Sequence, residues 1–104
     1  MKDSIRSSLE SLQEKAKSLR NKLSDPSITS DISKLTNLNK EFAEIKDVVE
    51  NWSEYQNTEK TLADLENLLN DDEMKDMATE EKLSCEERLR QLESEIMIQL
   101  LPKD

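Results

Sequence analysis

Residues 3–24 read DSIRSSLESLQEKAKSLRNKLS, and this stretch decides the fold. Ile5, Leu9, Leu12, Ala16, Leu19 and Leu23 follow one another at spacings of 4, 3, 4, 3 and 4 residues. That alternation places one narrow apolar stripe along a helix, where it faces a partner helix. Lys15, Lys17, Arg20 and Lys22 crowd the last two turns, where cations complement the helix dipole. Ser24-Asp25-Pro26 ends the helix, because Pro26 restricts the residue before it and lacks the N–H that a continued ladder needs.

The same period recurs downstream. PSITSD, residues 26–31, reads as a polar turn in which Ser30 or Asp31 caps the next helix. Leu35, Leu38, Phe42, Ile45, Val49 and Trp52 then alternate by 3 and 4. Continued, that register reaches Gln56 and Glu59, so the stripe fails there and resumes in a shifted phase at Tyr55, Leu62, Leu65 and Leu69. With no Pro or Gly to interrupt it, this is one helix of about 38 residues, roughly 57 Å long. Trp52 and Tyr55 sit at the shift, where their bulk fills a widened gap. Asn70-Asp71-Asp72-Glu73 suits a helix start. Met74, Met77, Ala78, Cys85, Leu89, Leu92, Ile96 and Leu100 carry a third stripe before Pro102, with a second capping signal at Thr79-Glu80-Glu81. The expected fold is all-α: an elongated antiparallel three-helix bundle of coiled-coil character, one domain over 1–104, with helices at about 3–24, 31–69 and 72–101.

Composition agrees and restricts function. The 104 residues are 38% charged, contain no Gly and hold three aromatics, which leaves little apolar material for a large lined pocket. Histidine is absent, removing the commonest general base and metal ligand. Cys85 stands alone, so it forms neither an intrachain disulfide nor a Cys–His nucleophile, and it reads as a core thiol. Asp71, Asp72 and Glu73 lack the spacing and the Gly of a calcium loop and read as capping residues. No catalytic site, metal site or cofactor is expected, and no small-molecule substrate.

The net charge of −9 is unevenly spread. Residues 1–46 carry nine Lys/Arg against seven Asp/Glu, a net of +2; residues 47–104 carry six against seventeen, a net of −11. Phosphate binding needs clustered cations, so contact with nucleic acid is expected only from the first half, and the second half suits a basic partner. No stretch approaches the roughly 20 apolar residues of a membrane span, and the opening MKDSIRSSLE is no secretory signal, so the expected compartment is the cytoplasm.

Several short stretches, in order, carry a resemblance. Leu23-Ser24-Asp25-Pro26 followed by Asn39-Lys40-Glu41-Phe42-Ala43 resembles the opening of the bacterial peptide chain release factor 1 family, a Leu-x-Asp-Pro turn and then a Lys-Glu-aromatic triplet. Val48-Val49 and Tyr55 fall where that family has a paired aliphatic and an aromatic. Asp71-Asp72-Glu73-Met74-Lys75-Asp76-Met77-Ala78 is similar to its Asp-Pro-Glu-Met-x-x-Met-Ala, with Asp72 in place of Pro. Leu100-Leu101-Pro102-Lys103-Asp104 matches its Leu-Leu-Pro-Lys-Asp at the border of the next domain.

The resemblance implies the N-terminal helical domain of a class I factor acting in translation termination at UAA and UAG codons. The family reads codons with Pro-x-Thr and hydrolyses peptidyl-tRNA with Gly-Gly-Gln. Neither motif occurs here, so the chain is expected to be a docking module, not an enzyme, truncated at a domain border. It further implies contact with the ribosomal stalk base near the GTPase-associated centre, and with the class II release-factor GTPase. Lys15, Lys17, Arg20 and Lys22 are the candidate contact residues, with dipole compensation as their alternative role. Two other readings compete: a free-standing coiled-coil adaptor, and a spectrin-like structural repeat. The latter usually carries its Trp early in a first helix of near-equal length, whereas Trp52 falls in the second.

Overall fold

The computed structural model describes residues 1–102, so the Lys103-Asp104 end of the last matched stretch lies outside it. The described residues are all-α, in the order α1 (Asp3–Leu23), α2 (Pro26–Thr29), α3 (Ile32–Leu68) and α4 (Lys75–Gln99). Four helices therefore stand where three long ones were expected, the addition being the single turn α2 inside the polar link.

Local chemistry accounts for each start. Asp25 is the N-cap of α2: its Oδ1 accepts from the Ser27 N–H at 2.9 Å and from the Ser27 hydroxyl at 2.9 Å. Pro26 fills the first helical position, where its missing N–H costs nothing. Asp31, the second of the two expected caps, accepts from the Lys34 N–H at 3.2 Å, three residues into the next helix. Ser30 instead donates its hydroxyl to the Ser27 carbonyl. At α4 the acidic run turns before the helix begins. Asp71 Oδ1 accepts from the Glu73 N–H at 3.0 Å, and regular helix starts only at Lys75. Thr79 caps nothing; its hydroxyl donates to the Lys75 carbonyl at 2.8 Å inside a continuous helix.

The chain divides into two compact units, Met1–Glu50 and Asn51–Asp104. In the first, α1 buries Leu9, Ala16 and Leu19, and the first part of α3 buries Ile45, Val48 and Val49. The Arg20 guanidinium lies over the Phe42 ring, 5.4 Å from its centroid, which sets the end of α1 beside the third turn of α3. In the second unit, Trp52, Tyr55 and Leu65 of α3 and Ala78, Leu92 and Ile96 of α4 are buried. The Trp52 and Tyr55 rings stack with centroids 5.7 Å apart and planes 19° from parallel. Two side-chain pairs fix the direction of α4 against α3. Asn51 Nδ2 donates to Gln99 Oε1 at 3.0 Å, and Arg88 grips Glu54 through two hydrogen bonds, one of them Nη2 to Oε1 at 2.9 Å. The later residue on α3 pairs with the earlier on α4, so the two segments run antiparallel. One stripe residue departs from expectation: Met77 is 45% exposed, and its neighbour Ala78 takes the buried position at 0%.

Candidate functional site

The four basic residues named from sequence are all exposed on α1. They do not form one patch. At about 100° of rotation per residue, Lys15 and Lys22 lie seven positions apart and share one flank of the buried Leu9–Ala16–Leu19 line. Lys17 and Arg20, three apart, share the opposite flank. Their environments differ as well. Arg20 stacks on Phe42 and is partly committed to packing. Lys22 borders an open hollow of about 340 Å³ whose other lining residues are Ile28, Lys34, Asn37 and Leu38.

Every segment of the first corner contributes to this hollow: the last turn of α1, the single turn α2 and the first two turns of α3. Its chemistry is mixed. Ile28 and Leu38 are half-buried, while Lys22, Lys34 and Asn37 are exposed. Among the described residues, neither Lys22 nor Lys34 takes part in an ion pair. Sequence reading passed over Lys34 and Asn37 because an isolated Lys near a helix start carries no signal. Only the three-dimensional corner sets Lys34 beside Lys22.

Asp25 caps α2 within this corner. The backbone hydrogen bond from Ser27, and then the one from its hydroxyl, keep the Asp25 carboxyl below the usual aspartate range. In the second unit, Glu54 is likewise held low, first by its hydrogen bond from Arg88, whose guanidinium is pushed up in return. Glu87 is lowered by Arg90, three residues on along the same helix.

None of these carboxylates joins a wider acidic cluster. Among the described residues there is no group of three or more His, Cys, Asp or Glu placed to hold a metal ion. Asp71 spends its carboxylate on the Glu73 N–H, as a turn residue does. Cys85 is half-buried on α4. No helix of the described residues is long and apolar enough to cross a membrane.

Comparison with known proteins bears on the whole chain. The PCRF domain matches residues 12–104. Peptide chain release factor 1 from Chlorobaculum tepidum is 35% identical over 99 residues, covering 92% of this chain and 28% of the relative. The chain thus spans little more than a quarter of the length of that curated relative. No solved structure matches it.

Proposed function

The chain belongs to the PCRF domain family, and from that we propose that it serves translation termination, as the N-terminal helical domain of a peptide chain release factor. The observation that carries this reading is the 35% identity to a release factor 1 over nearly the entire chain. The parent protein in this reading acts at UAA and UAG codons in the cytoplasm, and the present residues are its docking module, without chemistry of their own. Thin seams between helices suit that task, since they leave most of the surface charged and solvated. Partners of the module are the ribosomal stalk base near the GTPase-associated centre and the class II release-factor GTPase.

Lys15, Lys17, Arg20 and Lys22 are the proposed contacts. Because they fall into two pairs on opposite flanks of α1, they reach two surfaces rather than one. Ribosome binding by a full-length factor with all four changed to Gln tests this: weaker binding with a shallower salt dependence is expected. Unchanged affinity and salt slope would sink the assignment of these residues. The parent identity has its own check in the gene beyond codon 104, where a Gly-Gly-Gln motif is expected, and a stop codon at that point would favour a free-standing adaptor.

A further inference from the structure

Lys34 occupies a position that helix electrostatics disfavours. It is the third residue of α3, where unsatisfied N–H groups give the helix end a partial positive charge and carboxylates are preferred. The Asp31 cap at that end accepts from the Lys34 backbone N–H at 3.2 Å, but the Lys34 ammonium makes no ion pair among the described residues. Lys22, the other cation of the hollow, comes from the end of α1 and is also without an ion pair among the described residues. Between them Ile28 and Leu38 supply an aliphatic floor, and the Asn37 amide supplies both a donor and an acceptor.

We infer that this hollow docks an acidic amphipathic helix of a partner protein, with an apolar side chain against Ile28 and Leu38 and a carboxylate reaching Lys22 and Lys34. The volume of about 340 Å³ accommodates side chains of a docking helix rather than a whole domain. The floor decides the class of partner. Single-stranded nucleic acid is held by aromatic platforms and by Arg, and this lining offers two aliphatics and two lysines. An amphipathic helix presents apolar and acidic side chains three and four residues apart, the same spacing at which Lys34, Asn37 and Leu38 stand on α3. The inference rests on the docking reading above only in supposing that the chain has a protein partner.

The test uses the 104-residue chain, isotopically labelled, and a capped synthetic helix of Leu, Ala and Glu with its leucines on one face and its glutamates beside them. Addition of the peptide should shift the amide resonances of Ile28, Lys34, Asn37 and Leu38. Changing Lys22 and Lys34 together to Glu should weaken binding by roughly tenfold or more, as should replacing the peptide's glutamates by Gln. Both lysines are exposed, and Lys34→Glu improves the charge of the α3 start while Lys22→Glu worsens that of the α1 end; thermal melting verifies that the variant keeps its fold. Shifts spread elsewhere, an affinity indifferent to the charge reversal, or binding of a single-stranded RNA at these residues in place of the peptide would overturn the inference. So would concentration-dependent self-association abolished by the same substitutions, which would make a second copy the occupant. Peptide binding is read without ribosomes and ribosome binding without peptide, so either proposal fails independently of the other.

Discussion

Leu92 and Leu83 offer a paired test on one helix. Both are leucines within α4, but Leu92 is 0% exposed and Leu83 is 63% exposed. Changing each to Ala removes the same atoms and gives the same gain in helix propensity, so the difference between the two variants isolates burial. At Leu92 the lost transfer energy and the cavity left behind cost about 2–5 kcal/mol. At Leu83 the side chain already faces water, and the change stays within about 0.5 kcal/mol. A domain of this size loses about 4–8 °C of Tm per kcal/mol, so Leu92→Ala should lower Tm by at least about 8 °C while Leu83→Ala barely moves it. Against a total stability of about 5–15 kcal/mol, the first variant approaches the unfolding threshold and the second does not. Thermal melts followed by far-ultraviolet circular dichroism read both values. Equal shifts, or a larger one at Leu83, would refute the assignment of the α4 core.

Two electrostatic predictions follow from the carboxylates held low. Asp25 has a folded-state pKa below its unfolded value, so its capping contribution is present above the ordinary aspartate range and is lost as pH falls through the lowered value. Asp25→Ala should therefore lower Tm at neutral pH, with the gap to the native chain closing in acid; a gap independent of pH would contradict the cap. Glu54 is low chiefly because Arg88 donates to it, so Arg88→Gln should let the Glu54 carboxyl titrate closer to the ordinary glutamate range. A carboxylate-detected NMR titration decides this, and an unmoved Glu54 midpoint would show that the fork between α3 and α4 does not form in solution. Stability should hardly register the same change, because exposed ion pairs contribute little.

The seams were legible because burial imposes period on sequence. In α1, Leu9, Ala16 and Leu19 are buried where the spacing of 3 and 4 puts them. In α3 the stripe fails at Gln56 and Glu59, and Tyr55 and Leu65 of the shifted phase are buried. Elsewhere the period was too coarse. It placed Met77 and Ala78 side by side on the third stripe, yet only Ala78 is buried and Met77 is 45% exposed. Ser24-Asp25-Pro26 signals a helix end, but Asp before Pro is also a cap followed by a favoured first helical residue, and it starts α2. The acidic run before α4 pointed to a helix start, but Asp71 satisfied its neighbour's N–H in a turn and delayed the helix to Lys75.

The candidate site was legible in part for a similar reason. A count of cations along α1 finds Lys15, Lys17, Arg20 and Lys22, but counting along the chain ignores rotation, and 3.6 residues per turn divide the four between two flanks. Lys34 was invisible because its significance depends on Lys22 arriving from another helix through a link that folds as a turn of its own.

Charge and fold are nearly separable in this protein, and that shapes how its function is best probed. No polar or charged residue is buried among the described ones, and the core consists of aliphatic and aromatic side chains in narrow stripes. The pairs Lys82–Glu86 and Arg90–Glu87 each join residues of the same helix, and the Arg88–Glu54 pair lies at the surface. Folding therefore places few demands on which charge stands at a given surface position, apart from caps and helix ends. A net of 0 over residues 1–50 beside −9 over residues 51–104 is not required by the packing of either unit. Substitution of Lys15, Lys17, Lys22 or Lys34 removes no buried contact, so a change in partner binding in those variants reports recognition rather than unfolding. Arg20 is the exception: its guanidinium covers Phe42, and a variant there perturbs packing and charge together. For that reason the three α1 lysines should be changed without Arg20 in a parallel variant. If the lysine variant keeps its Tm and still loses affinity, the deficit belongs to the docking surface alone.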